Sequence, residues 1–149
     1  MPIRDELRVD IEGPMNGWVA VAIVAGSRRY AFDASFTPND AIAELVSALL
    51  AVASFETTRQ VSWNDEPTQH RLDLARTGDE IRLALTTDRR EGPDSSVAFA
   101  GSVERVVGPF VVALENLQRR QGADVYAREW RHPFPATAVE HLRAVLAHD

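Results

Sequence analysis

Four histidines are the main candidates for chemistry in this sequence: His70, His132, His141 and His148. No two lie four residues apart, the spacing that would put two imidazoles on one helix face for a metal ion. His141 and His148 are seven apart near the C-terminal end, with no third ligand signalled, so no metal site is expected. His70 alternates with Leu72 and Leu74, which places it on the inner face of a strand as a core histidine with a hydrogen-bond partner. There is no Gly-x-Ser-x-Gly elbow, no His-Glu-x-x-His and no glycine-rich phosphate loop. All 16 basic residues are arginine, and cysteine is absent. That excludes lysine Schiff bases, phosphate-loop lysines, thiolate nucleophiles, disulfides and Cys-ligated metals together. The 22 acids are plentiful, but sequence spacing sets no two of them across a scissile bond. No catalytic residue and no cofactor follows from the sequence.

Three other features carry potential binding chemistry. Trp63-Asn64-Asp65-Glu66-Pro67 is an acidic turn after an inward-facing tryptophan. It is either a plain tight turn or an acidic tip, formed by Trp63, Asp65 and Glu66, that engages a basic partner. Glu129 to Pro135 holds Trp130 and Phe134 in a proline-broken segment. Two large aromatics there pack onto the core, or anchor an interface if they are exposed. The third feature is the outer face of the sheet. Trp18, Ala20, Ala22, Ala31, Asp33 and Ser35 share one side of the first hairpin, and Ser96, Ala98, Ala100 and Ser102 share the outward side of the last strand. A solvated face normally carries long polar side chains, whereas small ones allow close approach by a subunit, loop or ligand. The competing explanation is the alanine excess of a GC-rich coding sequence.

The elements that position these residues follow from periodicity. Leu7, Val9 and Ile11 alternate with charged residues, as in a half-buried strand. Gly13-Pro14-Met15-Asn16 is read as a turn. Trp18 to Val24 is a second strand, and Gly26-Ser27 closes a hairpin that sets Ile23, Val21 and Val19 opposite Tyr30, Phe32 and Ala34. Thr37 as cap with Pro38 as first helical residue opens a helix whose stripe runs from Ile42 to Ala53. Four more strands follow. Gly78-Asp79 pairs Leu74 with Leu83 and Leu72 with Leu85, which makes Asp73 and Arg82 diagonal neighbours able to pair. The segment 89–94 is a solvated loop. Val106 to Leu117 forms a helical stripe that Gly122 ends. Tyr126 to Trp130 is a helical turn, and Thr137 to Glu140 has capping-box spacing for a last helix. The order βββ-α-ββββ-α-α, rich in hairpins, predicts one α+β domain over 1–149, with a mostly antiparallel sheet and helices packed on one face.

The net charge is −6, with the excess acid before residue 104. Nucleic-acid binding is disfavoured by that charge, while a basic protein partner suits it. The longest uncharged stretch, 13–27, is too short and too broken to cross a bilayer. The charged start lacks an apolar signal segment, so a cytoplasmic location is expected. The all-arginine, alanine-rich composition fits a bacterial source. The function expected on these grounds is non-catalytic protein binding, of the sort performed by an immunity protein or a secretion chaperone. One alternative is a small-molecule binder or acid/base enzyme on the sheet face using Asp33, His70 and Asp73. Another is a homodimer without a further ligand.

Overall fold

The alternation along Trp18–Ala25 decides the first sheet: Val19, Val21 and Ile23 are buried, and the residues between them face out. This strand, β2, pairs on one side with β1 (Leu7–Met15) and on the other with β3 (Arg28–Ser35), both antiparallel. Helix α1 (Ala41–Ser54) follows. A second antiparallel sheet then runs β4-β5-β6-β7, from Thr58–Asp65, Thr68–Thr77, Glu80–Thr87 and Ser96–Ser102. Helices α2 (Val103–Gln121), α3 (Ala123–Trp130) and α4 (Ala136–Ala147) complete the chain. The computed structural model describes residues 6–88 and 96–148. The segment read as a solvated loop, 89–94, lies outside them.

The fold is α+β in the expected order, with the strands divided between two sheets of three and four strands. Both expected hairpin registers hold, Val21 opposite Phe32 and Leu74 opposite Leu83. The buried faces of the sheets meet α1 and α2 and also each other. Phe32 of β3 sets its ring against the edge of Trp63 in β4 (5.4 Å between centroids), and stacks on His70 of β5 (4.4 Å). Among the described residues no helix is long and apolar enough to cross a membrane.

Several local expectations are corrected. The first turn is Asn16-Gly17, both at positive φ, and β1 runs through Gly13-Pro14 with a register shift. An Asn-Gly pair tolerates the two left-handed positions of a tight hairpin, which outweighs the Gly-Pro signal before it. Helix α1 is capped by Asp40, whose Oδ1 accepts from the Ala43 amide at 3.1 Å. Thr37 cannot cap because its segment is tied to β4: Asn64 donates to the Thr37 carbonyl, and Asn39 to that of Ser62. α3 is a two-turn helix, longer than the single turn expected. α4 starts at Ala136 after Pro135, so Thr137 lies inside it and makes no cap.

The last turn of α1 has no basic residue of its own. Arg76 of β5 supplies the charge instead. Its Nη1 donates to the carbonyls of Val52 and Ala53, both at 3.0 Å, and its Nε donates to Gly78. Helix ends leave such carbonyls without intrahelical partners. Arg76→Met keeps the stem and removes the donors. It is expected to cost about 1–3 kcal/mol, seen as a lower urea midpoint with an unchanged m-value. α2 and α4 are clipped together by Arg143, which donates from Nε and Nη2 to the two oxygens of Glu115. That bidentate bond holds the Glu115 carboxyl below its usual pKa. Its contribution is present at neutral pH and fades as acid protonates Glu115. Both side chains are partly exposed, so the effect is small.

Two sheet edges are blocked by side chains. On β1, Arg120 donates to the Ile11 carbonyl and Gln121 to that of Pro14. On β4, Glu44 accepts from the Ser62 amide while Asn39 takes its carbonyl. Such plugs prevent an added strand from docking at these edges. The outer faces of both sheets present exposed residues, among them Ala20 and Asp33 on the first and Ala98 and Ala100 on the second.

Candidate interaction surface

The outer face of the first sheet is laid out by the register of its three strands. Across β1, β2 and β3 the rows are Arg8–Val24–Arg29, Asp10–Ala22–Ala31, Glu12–Ala20–Asp33 and Met15–Trp18–Ser35. The central strand therefore provides a floor of alanine, with carboxylates standing on both sides. Two adjoining depressions of about 340 and 560 Å³ lie along it, and both are bordered by Glu12, Ala20, Asp33 and Asp65. At one end Trp18 is 40% exposed and Met15 66% exposed. Arg29 stands at the other end. Asp10 is 3.8 Å from Arg120, with both groups more than half exposed, so this pair leaves the acidic character largely intact.

Asp65 differs from the other acids because it is anchored to the interior. Its Oδ2 lies 3.3 Å from His70 Nε2, and His70 Nδ1 lies 2.6 Å from the Tyr30 hydroxyl. His70 and Tyr30 are each 1% exposed. With a neutral imidazole, Tyr30 donates to Nδ1 and Nε2–H donates to Asp65. Phe32, stacked on the imidazole, fixes the ring plane. The chain Tyr30–His70–Asp65 thus links β3, β5 and the end of β4, and holds one carboxylate at the groove wall.

No known protein family, curated protein or solved structure matches the chain.

Among the residues singled out by sequence, Trp18, Ala20, Ala22, Ala31 and Asp33 come together on this one face. Ala98 and Ala100 are exposed too, but they lie on the second sheet and border a separate cleft. Glu66 is exposed in the turn after β4, where it accepts from Asn64 Nδ2. Trp63 and Trp130 are 1% and 0% exposed: Trp63 faces inward on its strand, and Trp130 packs onto the core rather than standing at the surface. Phe134 is half-buried and meets Tyr126 edge-on at 5.1 Å. Burial and the nearby Asp40 carboxylate push the Tyr126 hydroxyl well above its usual pKa, so it remains a neutral phenol in that cluster. Asp33, His70 and Asp73 do not converge. Asp33 is on the first outer face, His70 is in the interior, and Asp73 is on the outer face of the second sheet. Among the described residues no group of three or more His, Asp or Glu is placed to hold a metal ion.

Sequence reasoning missed Asp10, Glu12 and Met15. Both acids alternate outward in β1, and the signal was available in that alternation. A turn centred on Pro14-Met15, two residues ahead of Asn16-Gly17, leaves β1 out of register with β2, so these acids are not joined to the alanine face.

Proposed function

We propose that this is a non-catalytic binding protein whose first sheet docks a basic, extended segment of another protein across its outer face. The carrying observation is the alanine floor of β2 between the carboxylates of Asp10 and Glu12 on one side and Asp33 and Asp65 on the other. Crossing from β1 to β3 spans two strand spacings, about 9.5 Å. A segment lying along β2 therefore has carboxylates within reach on both sides. Arginine or lysine side chains of the segment reach the acidic walls, and the small floor lets its backbone lie close. Trp18 and Met15 offer an apolar end for an anchor side chain, and the Trp18 ring can also take a cation on its face. The blocked edge of β1 favours the face over that edge as the docking surface. A partner held in this way fits a secretion-chaperone role better than an immunity role, in which a folded toxin surface is covered. A cytosolic, bacterial setting agrees with the composition.

The test uses the tryptophan at the site. Trp63 and Trp130 are buried, so quenching and emission shifts on binding report chiefly on Trp18. Titration with an extended peptide alternating arginine and small residues should move the emission with a saturable curve. The curve should weaken at least tenfold in Asp33→Arg. An acidic peptide of equal length should give no response. If the basic peptide leaves the emission unchanged, or Asp33→Arg binds it equally well, the proposal fails.

A further inference from the structure

The second sheet carries a different surface. Its register gives two central rows on the outer face, Gln60–Asp73–Ala84–Ala98 and Thr58–Ala75–Arg82–Ala100. Asp73 and Arg82 stand diagonally among four alanines, where a cross-strand ion pair is expected. They do not pair with each other. Arg82 donates to Glu80 on its own strand at 3.0 Å, and Asp73 accepts from Arg71 and Gln60, both at 3.1 Å. Glu80 and Arg71 lie towards opposite ends of the sheet, so the two charges lean apart along the strands. Between them opens a cleft of about 490 Å³ with Ala75, Ala84, Ala98 and Ala100 as its floor.

We infer that this cleft is a self-association surface that seats Arg82 of a second copy of the chain. The occupant follows from charge: one wall is led by a carboxylate and the other by a guanidinium, an arrangement complementary to itself. Place a two-fold axis between the two faces, parallel to the rows. Arg82 of the second copy then stands opposite Ala84, offset from Asp73 by one strand spacing, about 4.8 Å, within the plane of the sheet, and its long side chain spans the gap between the faces. The symmetric contact forms at the same time. The alanines give the guanidinium room to lie flat, which longer side chains would prevent. Arg82 is 78% exposed, and its bond to Glu80 lies within its own strand.

The size of the face sets the strength. Four strands by the length of β7 is about 19 by 24 Å, or about 450 Å² per copy. That is about half the contribution of each partner to a standard stable interface. A face of this size points to a weak dimer, with a dissociation constant expected between about 10 µM and about 0.5 mM. This face is separate from the acidic groove, so its success or failure leaves the proposed function untouched.

Sedimentation velocity from about 10 µM to about 0.5 mM, a range suited to such an interface, tests the inference. The wild-type chain should shift from monomer to dimer across that range. Asp73→Arg alone and Arg82→Asp alone should each remain monomeric, since each turns both cross-pairs into like-charge contacts. Mixing the two variants should restore a dimer, because Arg at 73 then faces Asp at 82 and the unaltered pair forms beside it. The mixture also controls for folding, since misfolded chains would not recombine. A wild-type chain that stays monomeric throughout overturns the inference. So does a dimer indifferent to the single reversals, or a mixture that fails to associate.

Discussion

Replacing Trp130 with alanine should lower the unfolding free energy by about 3–5 kcal/mol, the range for removing a fully buried aromatic. Trp130 is the last residue of α3, is 0% exposed, and donates its indole N–H to Asp40 Oδ1 at 2.8 Å. The same oxygen caps α1 through the Ala43 amide. The substitution thus opens a cavity and also releases a carboxylate that ties α3 to the start of α1. Trp130→Phe separates the two effects. It retains much of the buried area but loses the N–H and part of the indole volume, so it should cost about 1–3 kcal/mol, less than the alanine change. Thermal and chemical denaturation give both values. Equal, negligible losses for the two variants would show that the indole is not part of the core packing described here.

His70→Ala should be nearly as severe, at about 2–4 kcal/mol. It removes a buried ring and leaves the hydroxyl of Tyr30, itself 1% exposed, without the acceptor found at 2.6 Å. Tyr30 and His70 share this one bond, so the costs of removing either partner overlap. The double variant Tyr30→Phe/His70→Leu should therefore be less damaging than the sum of its single changes. A double-mutant cycle measures the coupling, and strict additivity would contradict the hydrogen-bonded chain. The same variants connect stability to function. Losing His70 leaves the Asp65 carboxylate without its anchor at the groove, so peptide affinity should fall beyond what the loss of folded protein explains.

Much of the fold was legible because its strands are hairpins with period-two patterning. The pairs Val21–Phe32 and Leu74–Leu83 follow from turn position and alternation alone. His70 as a partnered core histidine was legible for the same reason. What stayed hidden depended on contacts distant in sequence. Thr37 looked like a cap until Asn64, 27 residues later, tied its carbonyl to β4. Asp73 and Arg82 looked like an ion pair, but each found a partner two residues away on its own strand. The division into two sheets leaves no periodic trace, because alternation reports which face is buried and not which strands are neighbours. For the candidate groove, the β2 and β3 residues were visible as a small-residue face. The acids of β1 were not joined to them, since the Asn16-Gly17 turn was overlooked in favour of Gly13-Pro14. Ala98 and Ala100 share the composition of that face but belong to another surface.

The central claim, that a basic segment lies along β2 between acidic walls, is most directly tested by amide chemical-shift mapping. An isotope-labelled chain is titrated with the arginine-bearing peptide. Perturbations should concentrate at Asp10, Glu12, Ala20, Ala22, Asp33 and Asp65 and in the indole N–H of Trp18. They should weaken steeply as salt is raised, because exposed charges carry the attraction. Shifts confined to other surfaces, or binding at this face that ignores salt, would contradict it.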